Sequence, residues 1–240
     1  MKSLIKINQT PSMKWYKVIL LLMVIMLGGC EKKNDVMTAV FAWHGVNEED
    51  ITLLDKYDID TIFMDIHSYK DIDGYDMYLL DGDTDYDLED MQRVVSQAYE
   101  YQSDGVVFDI EGDYDVLADN LEELKSNIPV LVCIPYWLEE ETIEKIVKNS
   151  DGIIVMNYIK GKEKEKIKEE KEAAIKYHKD IITAYEMQPP GKYGLEDKNT
   201  YYHNGIKAII NNYNDNFKNE DIGLAYHHLD ILRELDKGHE

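Results

Sequence analysis

From position 38 onward the chain alternates short apolar runs with polar or amphipathic segments, eight times over. The runs occupy 39–43, 61–66, 77–80, 105–110, 130–135, 152–158, 181–185 and 222–226. They are too short for buried helices and too uniformly apolar for strands with one wet face, so they read as strands covered on both sides. Between several of them the spacing is helical. Met91, Val94, Val95 and Ala98 follow the i, i+3, i+4, i+7 rule of one apolar helix face, and Ile143, Ile146 and Val147 do the same. The Lys- and Glu-rich stretch 162–178 reads as a solvated helix, and Tyr202, Ile206, Ile209 and Ile210 mark another. Strand and helix in alternation require parallel strands with helical crossovers. Eight such units predict a compact α/β fold, a (β/α)8 TIM barrel over residues 38–240, with an open doubly wound sheet as the alternative. The first strand is followed by no glycine-rich phosphate loop, which removes the nucleotide-binding form of that alternative. The weakest units are the second and third, where the chain between Ile66 and Met77 has room for little helix.

The first 29 residues have a different composition. Lys2, Lys6, Lys14 and Lys17 precede an apolar run at 18–27, and Gly28, Gly29 and Cys30 follow with no acid before Glu31. A basic start, a short apolar stretch and small residues at a cut point are the marks of a secretory signal. The apolar run is about half of the roughly 20 residues a spanning helix needs. Leu27-Gly28-Gly29-Cys30 resembles the lipobox of bacterial lipoproteins. That resemblance implies a signal peptide over 1–29, lipid on Cys30, a polar tether over 30–37 and a barrel held at the outer face of the cell membrane. With Cys30 lipidated only Cys133 remains, so no intramolecular disulfide is expected, and Cys133 reads as a buried, inert thiol. The net charge is −22 and becomes more negative without the leader's four lysines, which disfavours nucleic acid as a partner.

In such a barrel the site lies at the C-terminal strand ends. These ends are Trp43 and His44, Asp65 and His67, Asp81 and Asp83, Asp109 and Glu111, Tyr136 and Trp137, Asn157 and Tyr158, Glu186 and Gln188, and His227 and His228. All are polar, acidic or aromatic, while the strand starts are apolar. Part of this follows from exposure alone, since any solvated strand end is polar. Strand side chains alternate faces, so Val107, Asp109 and Glu111 should share one, as should Phe63, Asp65 and His67. Two carboxylates spaced along one strand raise one another's pKa, which suits a general acid. An acidic loop over 109–115 that is merely solvated gives the same pattern. His227 and His228 are adjacent, so only one can point inward. A metal held by Asp65, His67 and one of them is a minor alternative; no resident metal or cofactor is expected.

The stretch Asp104-Gly105-Val106-Val107-Phe108-Asp109-Ile110-Glu111 resembles the fourth-strand motif of glycoside hydrolase family 18, the chitinase-like barrels, with Val107 at the motif's third acidic position. Val155-Met156-Asn157-Tyr158 resembles the family's sixth-strand Met-x-Tyr. The resemblance implies an O-glycosyl hydrolase acting on a cell-surface or environmental glycan. Glu111 would protonate the glycosidic oxygen, Asp109 would orient an N-acetyl group and Tyr158 would hydrogen-bond it. Glu186 offers a second carboxylate, which with Glu111 would form an acid/nucleophile pair. Trp43, Asp65, His67, Tyr136, Trp137, Asn157, Gln188 and His228 complete the expected substrate-binding ring, the aromatics by stacking on sugar rings. The alternatives are a non-catalytic glycan-binding or scaffold protein on the same barrel, and a metal-assisted hydrolase.

Overall fold

The computed structural model describes residues 36–82 and 87–238. Eight strands, β1 (Thr38–Ala42), β2 (Thr61–Asp65), β3 (Asp76–Asp81), β4 (Gly105–Phe108), β5 (Val130–Pro135), β6 (Gly152–Met156), β7 (Asp180–Glu186) and β8 (Gly223–His227), pair in sequence order, all parallel. β8 closes onto β1 with Thr38 opposite Leu224, Ala39 opposite Ala225 and Val40 opposite Tyr226. The closed barrel expected from the alternation is therefore the fold, and the β1–β8 ladder excludes the open sheet. The leader, Cys30 and Asp83 lie outside the described residues.

The crossover helices are α1 (Glu48–Lys56), α2 (Leu88–Tyr101), α3 (Tyr114–Glu123), α4 (Glu140–Asn149), α5 (Glu163–Lys166), α6 (Lys168–Tyr177), α7 (Ile206–Phe217) and α8 (Leu229–Lys237). Residues 66–75, between β2 and β3, form turns instead of a helix, as the short spacing there demands. Several acids at the helix starts serve as caps. Asn47 and Asp50 form a capping box on α1, and the carboxylates of Asp87 and Asp113 accept from the first-turn N–H groups of α2 and α3. The stretch 162–178 differs from expectation: it breaks at Ile167 into α5 and α6 and buries Glu163 and Glu170. Glu163 is drawn inward by the Tyr201 hydroxyl and by Asn212, which donates to it at 3.2 Å.

Alternation along each strand builds two cores. One set, including Val40, Ile62, Leu79, Val106, Val132 and Ile153, packs outward against the helices. The other, including Ala39, Phe41, Phe63, Leu80, Val107, Cys133, Ile154 and Ala225, fills the barrel. Inside, large and small side chains face one another: Phe41 meets Phe63 edge-on at 5.2 Å between centroids, and the alanines make room for them. At the lower end Tyr78 lies over Gly105, where an added Cβ would stand 2.4 Å from the ring. Packing thus closes the lower barrel and leaves the C-terminal mouth for chemistry.

Candidate active site

The inward phase that fills the barrel continues one step past the core and delivers Trp43, Asp109, Pro135, Tyr158, Glu186 and His227 to the mouth. Asp109 follows β4, its N–H bonded to the Asp81 carbonyl at 2.9 Å. With Cys133, Tyr158, Glu111, Tyr114 and Trp137 it lines a cavity of about 380 Å³. Burial pushes the Asp109 carboxyl above its ordinary pKa; the nearby charge of His227 pulls it back, and that of Glu111 raises it further. Burial, followed by the charge of Asp109, pushes the Cys133 thiol pKa well up. Cys133 is therefore held as a thiol, which is a poor nucleophile.

Glu186 ends β7 almost fully buried. Its Oε1 accepts from the backbone N–H groups of Met187 at 2.8 Å and Gln188 at 2.7 Å. Its Oε2 meets Nδ1 of His227 at 3.2 Å. This pins the imidazole by one nitrogen and leaves Nε2 on the opposite edge of the ring. For His227, burial works against the charged form, but the hydrogen bond to Glu186 and the charges of Glu186, Asp109 and Glu111 outweigh it and raise the pKa. The Tyr158 ring lies 5.8 Å from that of His227, its hydroxyl 3.3 Å from the Met156 sulfur, and burial pushes its pKa well up.

The sequence-derived residues divide on this geometry. Asp109, Glu111, Tyr136, Trp137 and Tyr158 share the cavity. Glu186 stands behind it through His227. Glu111 lies beyond the end of β4 and is exposed, so the spacing of two carboxylates along one strand does not describe this pair. Trp43 stacks on Phe41 at 6.5 Å and packs over Gly82. Asp65 accepts from the His67 N–H at 2.9 Å and closes a local turn, leaving His67 exposed. Asn157 is buried as scaffold, donating to the Glu163 carbonyl at 2.8 Å. Gln188 contributes backbone, holding Glu186 and accepting from the Thr200 hydroxyl at 2.7 Å. Of the two adjacent histidines His227 faces the barrel; His228 is the N-cap of α8 and turns away. Cys133 is the buried, inert thiol expected, and alternation from Leu131 brings it to the cavity. Tyr114, which also lines the cavity, carried no signal in the sequence that pointed to the site.

No family model matches the chain, and no curated protein matches it. The fold, however, is shared with solved structures. QR15, an aldolase, superposes with a TM-score of 0.52 at 13% identity, over 87% of this chain and 97% of that one. An HpcH/HpaI aldolase from Desulfitobacterium hafniense DCB-2 gives 0.49 at 11% identity, covering 90% of this chain and 93% of that one. A tryptophan synthase from M. tuberculosis gives 0.47 at 10%, covering 87% and 93%. These likenesses concern the barrel. The glycosidase expectation is corrected: no family model matches the chain, so family 18 membership is unsupported, and the barrel that superposes with a TM-score above 0.5, QR15, is an aldolase, not a chitinase-like one. The interior gives the physical reason. Val107, at the motif's third acidic position, is fully buried among apolar side chains, and Glu111 has left the strand. The shared letters are a strand end and a loop, not a carboxylate relay. The glycan-binding and metal-assisted hydrolase alternatives gain nothing from these matches and fall with it, and no lipoprotein stands among the structures named.

Proposed function

We propose that the protein is an acid–base enzyme that moves a proton on a small polar organic molecule held in the C-terminal mouth, a chemistry of the lyase or isomerase class. The observation that carries this reading is the convergence of Asp109 with the Glu186–His227 pair in two different environments. Asp109, whose carboxyl burial pushes above its ordinary pKa, is placed to donate a proton and, once ionised, to accept one. His227, oriented by Glu186, presents Nε2 to charge that develops on a substrate oxygen. The cavity of about 380 Å³ suits a metabolite rather than a polymer, and Tyr114, Tyr136 and Trp137 supply apolar wall. Among the described residues its lining offers carboxylates, tyrosines and a thiol, groups suited to proton transfer. The aldolase label on one structure of the same fold is compatible with this class, and the likeness itself is one of fold alone. As a further part of the proposal, the composition of residues 1–29 supports export and an extracytoplasmic location at the cell membrane.

The test is solvent exchange. The full chain in deuterated buffer, offered a panel of small oxo- and hydroxy-acids, should introduce deuterium beside the carbonyl as read by proton NMR. Asp109→Asn should lower that rate by about 10²–10⁴-fold. Carbon NMR of the Asp109 carboxyl should show it titrating above the ordinary aspartate value. An Asp109 that titrates normally, or exchange that survives Asp109→Asn, sinks the reading.

A further inference from the structure

At the opposite side of the mouth from Asp109, three potential ligands meet: His44, just after β1, His228, just after β8, and Asp230, in the first turn of α8. One donor atom from each lies within 4.8 Å of the others. His44 Nδ1 is 2.5 Å from Asp230 Oδ2, and His228 Nδ1 is 3.6 Å from the same oxygen. We propose that this cluster is a binding site for one divalent transition-metal ion of the zinc type.

The donor set is two imidazoles and one carboxylate, which suits such an ion better than calcium or magnesium. Zinc binds these donors at about 2.0–2.2 Å, so donors around one ion stand about 3.3 Å apart. The Asp230–His228 separation already meets that spacing, and the Asp230–His44 contact needs to open by less than about 1 Å. The carboxylate is also held from behind. Its other oxygen, Oδ1, is taken by Nη1 of Arg233, and Arg233 is itself anchored by Asp50, whose Oδ2 accepts from Nη2 at 2.6 Å. Oδ2 is thereby aimed at the two histidines, the kind of outer-shell support that metal ligands have. An exposed His44–Asp230 pair in solution adds little to stability by itself. Three protein ligands leave coordination positions open. Beside His44 lies a second cavity of about 350 Å³, lined also by Gly45, Asn47, Ser68, Lys70 and Arg233, where those positions would find water or an anionic ligand. The site is independent of the proton-transfer reading, since neither Asp109 nor Glu186 belongs to it.

The experiment is calorimetric titration of the chelator-treated full chain with zinc chloride, with cobalt(II) absorption as the coordination readout. One ion per chain is expected, with a tetrahedral-type visible cobalt spectrum. His44→Ala and Asp230→Asn should each weaken binding by at least about tenfold. His203→Ala, which alters another exposed histidine beside a carboxylate, should leave it unchanged. His44 is largely exposed, so its variant keeps the fold and decides the matter if Asp230→Asn does not. Absence of one-to-one binding in the unmodified chain, or equal affinity in His44→Ala, overturns the proposal.

Discussion

Glu170 supplies the most quantitative test of how this barrel is held. It lies on α6, 1% exposed, and its Oε2 has no partner among the described residues. Burial raises its pKa from an ordinary 4.5 to about 7; its own backbone N–H works against this, the neighbouring charge of Glu169 adds to it, and Lys166 opposes it. Because the folded pKa lies above the unfolded one, the protonated side chain is the one the fold accepts. Stability is therefore complete below pH 4.5 and is lost as pH rises through about 7. One pKa unit corresponds to about 1.4 kcal/mol, so the loss from this residue amounts to about 3 kcal/mol by pH 8. Glu170→Gln keeps the shape and removes the charge. Urea unfolding followed by circular dichroism should find the variant and the parent within about 1 kcal/mol at pH 4.5, and the variant about 3 kcal/mol more stable at pH 8. In a domain of this size that corresponds to a melting shift of about 6–12 °C. Equal pH slopes between pH 5 and pH 8 in the two proteins would refute the argument.

Three other perturbations probe the barrel and its mouth. Val107→Asp, which restores the acid of the family 18 motif, should cost several kcal/mol and yield no glycosidase activity, because it puts a carboxylate into a fully buried apolar layer; thermal melting and a chitin-oligomer assay read both outcomes. Arg233→Met should cost about 3–5 kcal/mol in urea unfolding, since Asp50, 2% exposed, loses the guanidinium that donates to both of its oxygens. Gly105→Ala should cost about 1–3 kcal/mol in the same assay, because the new methyl group meets the Tyr78 ring and the Pro129 carbonyl, which stands 2.8 Å from it.

The candidate site was legible in part. Asp109 and Tyr158 could be read from the sequence because strand alternation carries their phase past the last core residue. Glu111 lines the cavity too, but from the exposed loop three residues past Phe108, where alternation no longer fixes which way a side chain points. Asp65, Asn157 and Gln188 have the residue types of ligand-binding groups, but their polar atoms serve turns and scaffold. The same limit explains the glycosidase expectation: a local string of Asp, Gly and Glu records composition, while a relay depends on which way each side chain points.

What the sequence determined alone was the βα alternation and the parallel sheet; that the sheet closes was decided by the pairing of β8 with β1. Eight buried-type strands with polar segments between them leave few ways to cover both strand faces, and the closed parallel barrel satisfies them. The inward set of side chains followed from period-two alternation, and the absence of a helix between β2 and β3 from chain length. Tertiary structure decided everything that depends on contact between distant segments. It turned His227 rather than His228 into the barrel and set Glu186 behind it. It buried Glu163 and Glu170 in a stretch that reads as solvated, and it brought His44 to Asp230 across nearly the whole chain. Periodicity reports which face of an element is apolar. Which polar groups meet is settled only when the barrel closes and places the first strand beside the last.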